Sequence, residues 1–242
     1  MSNFDSIQAG DLAFIDVGNS SFKVGIRKED FWQIQSISKP DELLSYLRES
    51  GVKYVIAASV RTGTEWLEPL VDEFPVAVLE TADIPEEQLD YHTPETLGID
   101  RYLACRGAFL MEQKPVLVID AGSACTIDFM DGDGVFKGGV IMPGLKALQQ
   151  VFFGAAPALP KIDFETPTVF PGKSSKESLQ WGISQFLIDG INANISRYEV
   201  EFGEFQLYLT GGDAETLLHH LKREVILRAD LIFAGMEEMI EG

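Results

Sequence analysis

The chain has 242 residues, long enough to bury a substantial core in one or two domains. Its 45% hydrophobic and 24% charged content excludes a disordered chain. With 38 acidic against 19 basic side chains the formal charge is −19; a surface of that sign repels phosphate backbones, which argues against nucleic acid and anionic membranes as partners.

In chain order, a polar leader (MSNFDSIQAGD) precedes strands at about 12–17, 22–27 and 31–37, with turns at Gly18-Asn19 and Lys28-Asp30. The leader lacks a basic region followed by an apolar run, so no signal peptide is expected. DELLSYLRES places apolar residues at 43, 44 and 47, the spacing of an amphipathic helix capped by Asp41. KYVIAAS reads as a buried strand, then a helix over roughly 64–74 and a strand at 76–79. Residues 81–98 read as loop, and a helix runs from about Ile99 to Glu112.

At Lys114-Pro115 the pattern restarts. FIDVGNS at 14–20 matches VIDAGSA at 118–124, an offset of 104 residues, which suggests two copies of one unit. The second copy continues with helical segments near 144–153 and 176–199 and a strand at 205–210. The turn TGGDA, a helix over about 213–221 and a terminal strand-helix pair (DLIFAGMEEMIE) complete it. The alternation gives an α/β class: an N-terminal lobe, 1–114, and a C-terminal lobe, 115–242, with a cleft expected between them. Cys105 and Cys125 sit in apolar surroundings without C-x-x-C spacing and read as reduced core residues. No apolar run approaches the roughly 20 residues needed to span a bilayer, and the expected location is cytoplasmic.

Three small-residue turns are candidates for phosphate chemistry. In Asp16-Val17-Gly18-Asn19-Ser20-Ser21-Phe22-Lys23 a strand ends near a carboxylate, and the glycine lets the backbone approach an anion. Asp16 can hold a divalent metal such as Mg²⁺ together with phosphate, and Lys23 offers a point charge. Asp120-Ala121-Gly122-Ser123 repeats the layout, and Thr210-Gly211-Gly212-Asp213 lies between a strand and a helix. Each, taken singly, is also ordinary turn or cap chemistry.

In LGIDR, Asp100 falls in the first helical turn, where the dipole favours an ionised carboxylate able to accept a hydroxyl proton. Arg101 can bind a substrate carboxylate in a fork. The alternative is that Asp100 caps the helix and Arg101 pairs on its surface. His219 and His220 lack metal-ligand spacing, and His92 lies in the loop before Asp100.

Together these segments resemble the type III pantothenate kinase family of the actin/hexokinase-like superfamily. The matching pieces are DVGNSSFKVG (16–25), LGIDR (97–101), DAGSACTID (120–128), GGVIMPG (138–144), ALPKI (158–162), GKSSKESLQWGI (172–183), LTGGDAE (209–215) and DLIFAGMEEM (230–239). The resemblance implies two tandem ribonuclease H-like lobes, as in actin-like ATPases, and ATP-dependent phosphorylation of pantothenate to 4'-phosphopantothenate, the first step toward coenzyme A.

Carried over by position, Asp16, Val17, Gly18, Asn19, Ser20, Ser21, Phe22 and Lys23 form the first ATP-phosphate loop, and Ser123 touches ATP. Asp100 is the general base. Gly98, Ile99, Asp100 and Arg101 contact pantothenate, and Tyr91 closes its pocket. Asp120 helps bind a monovalent cation, K⁺ or NH₄⁺, beside the Mg²⁺ that accompanies ATP. Ser175 stands where the family has a threonine reaching substrate across a homodimer interface. Serine also replaces the usual threonine at Ser20 and Ser123, keeping the hydroxyl and losing the methyl that restricts its rotamer. Two other readings remain open: a non-catalytic accessory or regulatory member of the family, and a kinase or phosphohydrolase for another substrate.

Overall fold

The structure is a computed structural model that describes residues 9–61, 63–165 and 169–241. Most of the polar leader therefore lies outside the described residues. The chain forms two compact units. The first holds the stretch ending at Gln113, Gly134–Lys137 and the stretch beginning at Ala229; the second holds Lys114–Asp133 and Gly138–Arg228.

In the first unit, β1 (Leu12–Val17), β2 (Phe22–Lys28) and β3 (Phe31–Ile37) form an antiparallel ribbon. After α1 (Pro40–Ser50), β4 (Tyr54–Ser59) lies parallel to β1. Following the short α2 (Glu68–Val71), β5 (Val76–Leu79) lies parallel to β4. The sheet order is β3-β2-β1-β4-β5. Central β1 is buried at all six positions, which is why LAFIDV is an almost continuous apolar run with one carboxylate. The edge strand β3 keeps most of its side chains in water.

Leu43 and Leu47, one turn apart on α1, are both buried in the core under this sheet. That helix starts one residue before Asp41, with Lys39 at the cap position, because Pro40 is preset for the first helical turn. It ends at Gly51, whose left-handed φ of 71° suits a residue without a Cβ. The helix expected over 64–74 contracts to α2. Finally α3 (Ile99–Glu112) runs from the Gly98 cap and is buried on nearly every side from Ile99 to Ala108.

In the second unit, β6 (Val116–Ala121), β7 (Ala124–Met130) and β8 (Phe136–Pro143) are followed by α4 (Leu145–Ala155) and α5 (Ser175–Gln180). A π-helical turn, Trp181–Gln185, leads into α6 (Phe186–Phe202). The helix expected over 176–199 is thus three segments in one path. Then come β9 (Gln206–Thr210), α7 (Ala214–Leu218) and the two-residue β10 (Ile226–Leu227). The order β10-β9-β6-β7-β8 repeats the first sheet strand for strand, with β6 in the place of β1 and β9 parallel to it. The core between this sheet and α6 is built from Leu117, Ile119, Ile127, Leu187, Ile191, Ile195 and Leu209.

The last element, α8 (Leu231–Glu241), belongs to the first unit. DLIFAGMEEMIE is helical from Leu231 on, and the strand expected there is β10, a few residues earlier. α8 packs on α3 through glycines: a Cβ on Gly107 would collide with the Leu231 carbonyl, and one on Gly235 with the Leu103 carbonyl. Among the described residues no helix is long and apolar enough to cross a membrane.

Candidate functional site

The β1–β2 turn is set by the ladder on either side of it. Asp16 pairs in register with Lys23, and Val17 with Phe22, so Gly18, Asn19, Ser20 and Ser21 form the connection. Asp16 is 9% exposed, and its Oδ2 lies 3.9 Å from the Lys23 ammonium, a loose ion pair at the mouth of the turn. Val17 and Phe22 are buried beneath it, while Asn19 and Ser20 are exposed. A Cβ on Gly18 would meet only the Ser21 carbonyl, at 3.4 Å.

The end of β4 closes on this turn. The Val60 N–H donates to the Val17 carbonyl at 3.3 Å. Arg61 Nε donates to the Gly18 carbonyl at 2.7 Å, and the guanidinium sits over the Phe22 ring, 4.5 Å from its centroid. Nothing in the local sequence singles out Arg61, because the contact spans 43 residues.

The start of α3 also lies against Val60. A Cβ on Gly98 would stand 3.7 Å from Val60 Cγ1 and 2.5 Å from Asp100 Oδ1, so the absent side chain leaves room for the Asp100 carboxylate. The Arg101 N–H donates to the Gly98 carbonyl at 3.1 Å and to Asp100 Oδ1 at 2.9 Å. Ile99 faces the core. Arg101 is 7% exposed, with its guanidinium 5.8 Å from the Phe136 ring centroid.

Phe136 is the centre of an aromatic cluster that sequence reading misses. Tyr91 and Tyr102 lie 6.1 and 6.4 Å from it, and the Tyr102 hydroxyl donates to Gln88. The Asp90 N–H donates to the Phe136 carbonyl at 2.9 Å, and Lys137 pairs with Asp90 at 3.2 Å. These contacts hold the loop 88–91 against Gly134–Lys137, so that Tyr91, Phe136 and Arg101 share one place. Its only sequence signal is the Asp-Gly turn just before Phe136, which marks a hairpin but names no partner.

In the second unit the β6–β7 turn mirrors the first. Asp120 pairs in register with Thr126, and the exposed Ser123 lies in the turn, its carbonyl accepting the Gly144 N–H at 3.2 Å. Asp120 Oδ1 is buried. Gly122 and Gly211 make room around that oxygen: a Cβ on Gly122 would lie 3.2 Å from it, and one on Gly211 would collide with it. Gly211 also has φ +99°, which penalises any side chain there. A buried carboxylate oxygen in a glycine cradle fits an alkali-type cation, a hard ion that takes oxygen ligands. Among the described residues no group of three or more His, Cys, Asp or Glu side chains could hold a metal, so the ion's other ligands there would be carbonyls, hydroxyls or phosphate.

Asp213 holds the cap position of α7 without a side-chain cap bond, and its N–H donates to the Ala121 carbonyl at 2.9 Å. α7 ends at Leu218, so His219 and His220 fall in the turn beyond it. The His220 carbonyl accepts from the Asn192 side chain. His92 is exposed. Ser175 is exposed on the first turn of α5, one residue after the Ser174 cap, beside a hollow of about 600 Å³ lined by Leu159, Gly172, Lys173 and Leu179. The structure therefore groups Asp16–Lys23 with Gly98–Arg101 in the first unit, and Asp120 with Gly122 and Gly211 in the second, while Ser175 stands on the surface of α5.

Comparison with known proteins identifies the family. Residues 12–197 match the family described as Type III pantothenate kinase. A protein of that name from Flavobacterium psychrophilum is 28% identical over 235 residues, covering 94% of this chain and 97% of the relative. One from Phocaeicola vulgatus is 29% identical, covering 93% and 96%. One from Flavobacterium johnsoniae is 34% identical over a shorter stretch, 61% of each chain. Among solved structures, a Campylobacter jejuni protein described as belonging to the Baf family of transcriptional activators is similar at TM-score 0.65 and 25% identity, covering 95% of this chain and 97% of that one. A Sinorhizobium meliloti protein, described as a candidate 2-dehydro-3-deoxygalactonokinase, shares the fold at TM-score 0.58 and 13% identity, covering 95% and 98%. The chain has the actin-like ATPase fold and belongs to the type III pantothenate kinase family.

Proposed function

We propose that the chain transfers the γ-phosphoryl group of ATP to the terminal hydroxyl of pantothenate, releasing ADP and 4'-phosphopantothenate. The observation that carries this reading is the meeting of the Gly18 turn and the Gly98–Arg101 turn at Val60, within one compact unit. A phosphate-binding turn and a carboxylate beside a buried arginine are the parts an in-line transfer to an acidic alcohol needs.

In this reading Asp100 accepts the hydroxyl proton as the substrate oxygen attacks the γ-phosphorus, and the bond to the bridging oxygen breaks. Arg101 receives the pantothenate carboxylate in its fork, with Tyr91 and Phe136 walling the aliphatic part. Backbone N–H groups of Gly18 through Ser21, with Lys23, hold the phosphates, and Ser123 contacts the nucleotide. Asp16 would hold Mg²⁺ and Asp120 would hold K⁺ or NH₄⁺; bound there, the cations supply the positive charge that a protein of net charge −19 lacks near a polyphosphate.

The enzyme acts in the cytoplasm as a homodimer in which Ser175 reaches the partner's substrate. Support for a second copy comes from apolar side chains left in water on the second unit, among them Val151, Phe170 and Phe186.

A second reading, a regulatory member without catalysis, is favoured by the likeness to the Campylobacter Baf family protein. ADP release measured with a panel of acceptors separates the two. We expect turnover with pantothenate that depends on K⁺ and is lost in Na⁺, and none with neutral sugars. Turnover with a sugar alone would move the substrate assignment, and folded protein inert toward every acceptor would favour the regulatory reading.

A further inference from the structure

We infer that Arg61 is a phosphate-binding residue of the Gly18 turn; the inference rests on the reading of that turn as an ATP site. The residue is fixed at one point on its backbone and two on its side chain. Its own N–H donates to Ser59 Oγ at 3.1 Å, its Nε donates to the Gly18 carbonyl at 2.7 Å, and its guanidinium lies on the Phe22 ring. Among the described residues it has no carboxylate partner, in a chain with 38 acidic side chains. A cation held this firmly and left without a counter-charge is set up for an anion that arrives from solution.

The geometry assigns separate work to the two ends of the guanidinium. Nε neutralises the Gly18 carbonyl, the turn's own acceptor, which would otherwise repel a phosphate oxygen. The two Nη groups stay in plane, pinned by the Phe22 ring, and keep donors for that oxygen. Lys23, the other cation at the turn, shares part of its charge with Asp16 at 3.9 Å, so Arg61 adds to it a charge with no such acidic neighbour among the described residues.

The test is steady-state kinetics and thermal melting of the full chain and two variants, with MgATP and pantothenate varied in turn. Arg61→Gln should raise the KM for ATP about 10- to 100-fold, the loss of one charged hydrogen bond, with the KM for pantothenate and the melting temperature nearly unchanged. Arg61→Lys should recover only part of that loss, since an ammonium cannot bond the Gly18 carbonyl and a phosphate with one planar fork. If Arg61→Gln is too unstable to assay, an Arg61→Lys variant with wild-type KM for ATP overturns the inference. So does an unchanged KM for ATP in Arg61→Gln, or a parallel rise in both KM values with a lower melting temperature, which is the mark of a structural role. In those cases wild-type turnover leaves the ATP site standing. Wild-type protein that neither binds nor turns over ATP removes the site and the inference together.

Discussion

Tyr102 and Cys125 show how burial sets the chemistry of single side chains. Tyr102 is fully buried, and burial pushes its phenol up to about 12. An unfolded tyrosine ionises near 10, so the native state holds the proton where the unfolded state gives it up. The stability this represents is complete below about pH 10 and is lost as pH rises toward 12. Tyr102→Phe should therefore show a flatter alkaline limb in urea unfolding between pH 9 and 11 than the parent; superimposable limbs would contradict it. Burial, with the charges of Asp120, Asp213 and Asp128 behind it, likewise pushes the Cys125 thiol up to about 12. Cys125 should resist thiol reagents at pH 8 until denaturant opens the second unit, and rapid native-state labelling would refute that.

At the scale of elements, glycine decides how closely α3 and α8 approach. Gly107→Ala or Gly235→Ala places a methyl group against a backbone carbonyl and should cost about 1–3 kcal/mol, the usual penalty of overpacking. The melting temperature should then fall by about 3–10 °C. Gly154→Ala on α4 is the counter-case: a Cβ there meets nothing within 4 Å, so removing glycine's entropy cost should stabilise by about 0.5–1 kcal/mol. Equal melting temperatures for Gly235→Ala and Gly154→Ala would sink this account of the interface.

The same scale shows what could be read before any coordinates. The 104-residue repeat of strand, carboxylate and glycine anticipated two sheets, and β1 and β6 stand in equivalent places. Local patterning placed β1 through β5 and α3 closely because each is bounded by turn residues. It failed where tertiary contacts decide. DLIFAG carries a strand-like apolar run, yet it is helix because α8 buries Leu231, Ile232, Phe233 and Met236, with Leu231 and Gly235 against α3. Trp181–Gln185 widens into a π turn that no periodicity announced. Asp16, Asp100 and Asp120 were legible as candidates through their glycine neighbours. Arg61 and Phe136 were not, since their contacts join segments 43 and about 35 residues apart in the chain.

For the whole molecule, net charge is the main constraint on an anionic ligand. A chain of net charge −19 binds a polyphosphate only where local N–H groups and a few fixed cations outweigh the global field. In the first unit Lys23 and Arg61 stand beside the Gly18 turn, and in the second a carboxylate oxygen of Asp120 is cradled by Gly122 and Gly211. The central claim is that Asp100 serves as the base for phosphoryl transfer to pantothenate. The most direct measurement is the steady-state rate of pantothenate-dependent ADP release by the parent and by Asp100→Asn in saturating MgATP and K⁺. The account predicts a kcat lower by about 10²–10⁴-fold in the variant, with the KM for ATP close to that of the parent. A variant that turns over pantothenate at the parent's rate would contradict it.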